Sequence, residues 1–153
     1  MRFVSMYSLQ QAWRSTPRIL EFQVIPGEGG EGVRLVVNEL PYTGPTSAGR
    51  LCLGRSIDPF SARLATIFRP VETGTHSFVL VDRLASCSFA FREERRLPLP
   101  PIWLARWSGD RSPSAVRIDM TPLGSDPAKL QIPSIVAPLH ADRDPLARYG
   151  EQL

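Results

Sequence analysis

From Arg18 onward the apolar residues of this chain recur at every second position, and proline or glycine closes each run. Leu20, Phe22 and Val24 alternate with Glu21 and Gln23. After a glycine-rich break, Val33, Leu35 and Val37 alternate with Arg34 and Val36. Side chains two apart share one face of a pleated strand, so this period selects strands over helices. Two such runs joined by a glycine loop predict a hairpin.

The same reading extends along the chain. Leu40 to Gly49 is turn-rich, and a short strand at Arg50 to Arg55 follows it. Ser77 to Val81 and Ser86 to Arg92 predict a second hairpin, with Cys87, Phe89 and Phe91 on one face. Ile102 to Trp107 and Ala115 to Met120, flanking the polar turn Ser108 to Ser114, predict a third. Two stretches carry helical spacing instead. Phe3, Met6, Tyr7 and Trp13 fit one stripe of a short helix that Pro17 ends. Asp58 and Pro59 fit a helix start, with Phe60, Leu64 and Ile67 or Phe68 as its stripe and Pro70 as its stop.

The expected fold is mainly β, with an α+β margin: one β-sandwich or barrel-like sheet of about seven short strands with one or two short helices. Residues 1–17 form an N-terminal, helical segment and residues 18–124 the β-rich core. Residues 125–153 form a proline-rich tail, packed on the core or extending from it, in which Asp144 and Pro145 fit a last short helix. A length of 153 residues suits a single domain.

Composition narrows the function classes. With 42% apolar and 22% charged residues the chain has the make-up of a folded domain. No run approaches the roughly 20 apolar residues that cross a bilayer as a helix, and the N-terminus lacks the pattern of a signal peptide. The expected location is intracellular, soluble or peripheral to a membrane. Cys52 and Cys87 lie in apolar, alternating stretches and read as buried thiols, which a bridge between facing strands would pair.

Gly27-Glu28-Gly29-Gly30-Glu31-Gly32 matches the spacing of a dinucleotide fingerprint, yet it leads into a strand. Without a helix start, nothing presents N–H groups to a pyrophosphate. It reads as a hairpin loop. Ser56 lacks the second glycine of a nucleophile elbow, and His76 sits in a turn. His140, Asp142 and Asp144 offer metal-ligand atoms with no second cluster to complete a shell, so they read as a charged tail. No catalytic residue, metal or cofactor is expected.

The surplus that needs a partner is arginine. Net charge is +3, and every cationic residue except Lys129 is Arg, a bias that suits phosphate or carboxylate recognition and also fits codon usage. Arg92, Arg95 and Arg96, followed by Trp103, Arg106 and Trp107, combine guanidinium forks with amphipathic rings. They are the candidate residues for RNA phosphates or lipid headgroups. The bland alternative is a solvated charged turn beside two packing tryptophans.

Three short stretches carry a likeness to a known family. Pro17-Arg18-Ile19-Leu20-Glu21-Phe22, Glu72-Thr73-Gly74-Thr75-His76-Ser77 and Pro122-Leu123-Gly124-Ser125-Asp126 fall in the order that resembles the small matrix proteins of bornaviruses, negative-strand RNA viruses. The resemblance implies a compact β-sandwich with helices that self-associates into tetramers, lines the inner face of a membrane, enters the virion and binds RNA or nucleoprotein. It carries no functional residue over by motif.

The function expected from the sequence is therefore a non-enzymatic, self-assembling, matrix-type structural protein whose partners are its own copies, RNA or nucleoprotein, and an anionic membrane surface. The alternative is a protein-binding adaptor or a viral or phage structural module, with no small-molecule substrate. A small hydrolase or transferase is the least expected.

Overall fold

The computed structural model describes residues 1–59, 62, 64–107, 112–124 and 132–139. The fold is mainly β. Its strands are β1 (Arg2–Ser8), β2 (Trp13–Pro26), β3 (Val33–Pro41), β4 (Cys52–Ile57), β5 (Leu64–Phe68), β6 (Ser77–Glu93), β7 (Ile102–Leu104), β8 (Ala115–Pro122) and β9 (Ile135–Pro138). A 3-10 turn at Glu28–Gly30 and a short helix, α1 (Pro45–Gly49), stand between them. The seven-stranded sheet runs β1-β2-β3-β6-β8-β9 with β7 also on β6, and β4 and β5 form a two-stranded sheet.

The described chain groups into two compact units. The first takes Met1–Ser56, Thr66–Cys87 and the described residues of 120–132. The second takes Ser88–Asp119 and the described residues of 57–65 and from 133 onward.

In the first unit the alternation read from the sequence becomes the β2–β3 hairpin. Phe22 pairs with Val37, Val24 with Leu35 and Leu20 with Glu39 on one face, while Glu21 pairs with Asn38 and Gln23 with Val36 on the other. Leu35, Val37 and Leu84 are almost wholly buried, which removes their side chains from water at about 1.5–3 kcal/mol each. The glycine loop closes the hairpin through a bond from Gly27 N–H to the Gly32 carbonyl (3.0 Å) and has no helix to open.

The opposite face of these strands holds a polar row. Arg2 of β1, Glu21 of β2, Asn38 of β3 and Ser77 of β6 are Cα partners from strand to strand. Arg2 Nε donates to Glu21 Oε1, Asn38 Nδ2 donates to Glu21 Oε2 (3.0 Å), and Ser77 Oγ donates to Asn38 Oδ1. Arg2 also donates to the Arg69 carbonyl, and Asn38 to that of Glu72 (2.8 Å). Glu21 is buried to 3% exposure, so each oxygen needs its donor. A second buried carboxylate, Glu39, ties down the β1–β2 turn by accepting from Ser8 Oγ and Gln10 N–H (both 2.8 Å).

In the second unit, Ala90, Ala115 and Val116 are buried. The end of β6 pairs with β7, and β8 pairs with β9 from Ala115↔Pro138 to Ile118↔Ile135.

Four sequence-based expectations are corrected. The N-terminal segment is strand, not helix: Phe3 sits opposite Leu20 in β1–β2, and interstrand bonds outweigh a short helix whose nucleation is costly. Pro17 is accommodated within β2, at the end of the β2–β3 ladder, where its carbonyl accepts from Tyr42 N–H (3.0 Å). The stretch expected to be helical before Pro70 contains β5, because Leu64–Phe68 finds its backbone partners in β4 and Arg69 N–H bonds the Leu51 carbonyl (2.7 Å).

The expected second hairpin is one continuous strand, β6. The break in alternation is an irregularity at Arg83 (φ 56°), where the register against β3 shifts. The expected third hairpin does not close on itself. The Pro98–Pro101 segment returns β7 to β6 instead, with Arg92 opposite Trp103. The tail contributes β9, and the helix expected at Asp144 and Pro145 lies outside the described residues.

A candidate arginine and tryptophan surface

Directly opposed residues of an antiparallel pair project to the same side, so the register of β6 and β7 makes Arg92 and Trp103 neighbours. A third residue completes the group. The Arg117 guanidinium of β8 lies 4.9 Å from the Trp103 ring centroid, within cation–π range, and Trp103 stays 37% exposed.

Acidic side chains hold these cations in place. Arg117 Nε donates to Asp119 Oδ2 (2.8 Å), and Ser134 Oγ, just before β9, donates to Asp119 Oδ1 (2.5 Å). The Ser134 hydrogen bond first, then Arg117, holds the Asp119 carboxyl below its ordinary pKa. Arg92 Nε pairs with Glu94 Oε1 (3.2 Å), which also accepts from Ser114 Oγ (2.8 Å). The terminal nitrogens of Arg117 have no partner among the described residues, so they are available to an oxyanion.

The connection from β6 to β7 presents a different chemistry. Prolines 98, 100 and 101 cannot donate to a ladder, so the strand pair ends and the chain turns, with Leu99 N–H bonding the Arg96 carbonyl (3.1 Å). Leu97 is 94% exposed and Leu99 53%, directly after the exposed Arg95 and Arg96. A protruding leucine pair behind two guanidinium groups can enter an apolar phase while the charges stay in its polar boundary.

Of the residues singled out in the sequence, the structure brings Arg92 and Trp103 together and puts Arg95 and Arg96 on the loop between them. Arg106 is exposed and Trp107 half-buried just after β7. The sequence reading did not single out Arg117, which the structure sets over Trp103, or the exposed Leu97 and Leu99. The alternation of Arg117 and Asp119 with Val116 and Ile118 was the available signal for the first, because it turns both polar residues to one side of β8.

The remaining motifs fall elsewhere. Ser56 lies in β4, exposed, and the His76 carbonyl accepts from Glu39 N–H (3.1 Å). His140, Asp142 and Asp144 lie outside the described residues; among those described, no group of three His, Cys, Asp or Glu side chains could hold a metal. Both cysteines are free thiols. The expectation that both are buried is corrected, since Cys52 is exposed on β4, a strand whose one partner among the described residues is β5, while Cys87 is half-buried. No helix among the described residues is long and apolar enough to cross a membrane. No family model, curated protein or solved structure matches the chain.

Proposed function

We propose that this is a non-enzymatic, matrix-type structural protein that assembles with its own copies and docks on an anionic membrane surface through the loop between β6 and β7. The exposure of Leu97 beside Arg95 and Arg96 carries this reading. Each cation near an anionic leaflet contributes about 1 kcal/mol. Each inserted leucine adds about 1.5–3 kcal/mol. One loop then binds weakly and reversibly, and an assembly of loops binds through avidity. The likeness of three short motifs to bornavirus matrix proteins points the same way.

Flotation with vesicles tests it. Vesicles of phosphatidylcholine and phosphatidylserine should carry the protein, and those of phosphatidylcholine alone should carry much less. L97D and R95E/R96E should each reduce flotation, the second losing its residual salt dependence. No flotation with anionic vesicles at low salt defeats the proposal.

The Trp103–Arg117 stack favours a second reading, contact with single-stranded RNA. A guanidinium plane accepts a base, and its free nitrogens pair with a phosphate. Gel shifts with a single-stranded RNA that weaken steeply with salt and disappear in R117A support it; an unaltered shift in R117A removes it.

A further inference from the structure

We propose that β1 is the seam of a homodimer, pairing antiparallel with β1 of a second copy about Val4. This inference rests on the self-assembly part of the reading above.

The main-chain bonds determine which groups of β1 face outward. Met1 N donates to the Phe22 carbonyl (2.9 Å), and Phe22 N–H donates to the Met1 carbonyl (2.8 Å). In an antiparallel ladder such doubly bonded pairs alternate with unbonded ones. Phe3 and Ser5 therefore bond β2, while Arg2 and Val4 turn their N–H and C=O groups away from it. β1 stands at the end of the strand order, with β2 as its one neighbour among the described strands.

Exposed edges are ordinarily blunted by prolines, charges or shortness. The strand at the other end of the order, β9, shows this: it is four residues long, follows Pro133 and closes with Pro138. β1 has seven residues and no proline, and its single charge, Arg2, is engaged by Glu21 and the Arg69 carbonyl. Its register shift lies between Ser5 and Tyr7, where Tyr7 N–H bonds Ser5 Oγ (3.0 Å), so residues 2 to 5 remain a regular edge. The Val4 side chain on it is exposed.

Self-complementarity selects a second copy as the occupant. A two-fold axis at Val4 sets Val4 against Val4 and Phe3 against Ser5 and keeps the two Arg2 residues at opposite ends, so outward donors meet outward acceptors and no like charges oppose. A head-to-tail pairing of β1 with β9 would instead meet the two prolines, which favours a closed dimer over an open chain.

Val4→Pro tests the seam cleanly, because the N–H it removes points away from β2. The wild-type protein should sediment as a dimer or a multiple of one. Val4→Pro should break that association with an unchanged strand signal in circular dichroism. In a Cys52→Ser background, Val4→Cys should form a disulfide-linked dimer on mild oxidation, since bonded antiparallel partners stand about 5.5 Å apart at Cα, within disulfide reach. A wild-type monomer across a concentration series overturns the seam and self-assembly together. An oligomer that persists in Val4→Pro, with no cross-link from Val4→Cys, overturns the seam alone. Vesicle flotation is read separately from both.

Discussion

Asn38 Nδ2 donates to Glu21 Oε2 across 3.0 Å between neighbouring strands, and the same amide nitrogen reaches the Glu72 carbonyl at 2.8 Å. One side chain thus links a buried carboxylate to the segment that leads into β6. Asn38→Ala would leave both acceptors short of a donor in a water-poor site, and it should cost about 2–4 kcal/mol. Urea denaturation should show a lower midpoint with an unchanged slope.

The same substitution at two leucines should separate folding from surface contact. Leu84 is 1% exposed and Leu97 94%. Leu84→Ala should destabilise by about 2–5 kcal/mol, whereas Leu97→Ala should stay within about 0.5 kcal/mol of wild type while weakening vesicle flotation.

Two glycines of the β2–β3 loop share a left-handed conformation but differ in surroundings. Gly29 (φ 67°) has open space where a Cβ would stand, whereas a Cβ on Gly32 (φ 64°) would collide with the Leu84 carbonyl oxygen. Gly29→Ala should cost about 1 kcal/mol from backbone strain alone. Gly32→Ala should cost clearly more, as thermal denaturation of the two variants side by side will show.

Asp119 sets a pH dependence. Its carboxyl pKa is lowered in the folded protein from an ordinary 3.8, so the folded state favours the ionised form. That stability is present above pH 3.8 and is lost as pH falls through the lowered value. Asp119→Asn should flatten this acid limb in melting temperatures measured from pH 6 downward, and Ser134→Ala should flatten it in part.

The two thiols should react unequally. Cys52 is exposed, while burial raises the Cys87 thiol above its ordinary pKa and keeps it protonated. Iodoacetamide at neutral pH should label Cys52 quickly and Cys87 slowly, with the gap closing on denaturation. Equal rates in the native protein would contradict this burial.

The β2–β3 hairpin was legible in the sequence because its alternation, its glycine loop and its length all reported the same local conformation. The pairing of Arg92 with Trp103 was legible only as proximity in sequence, since the register that makes them neighbours depends on where β7 returns. The stretches at 3–13 and 58–70 carried helical spacing too short to decide the matter. Pairing with β2 and β4 made strands of residues within them, because a helix must find its bonds locally while a strand draws on a neighbour. Whether Asp82–Arg83 turns the chain or merely shifts its register was likewise settled by β3 on the other side.

Sequence by itself determined that this chain builds sheets: a period of two is a property of consecutive residues, and prolines and glycines mark where it stops. Tertiary structure alone decided which polar residues line up as Arg2, Glu21, Asn38 and Ser77, which cysteine meets solvent, and that β1 ends the order of the described strands. Each of those depends on the distance between strands far apart in the chain, and no local pattern encodes that distance.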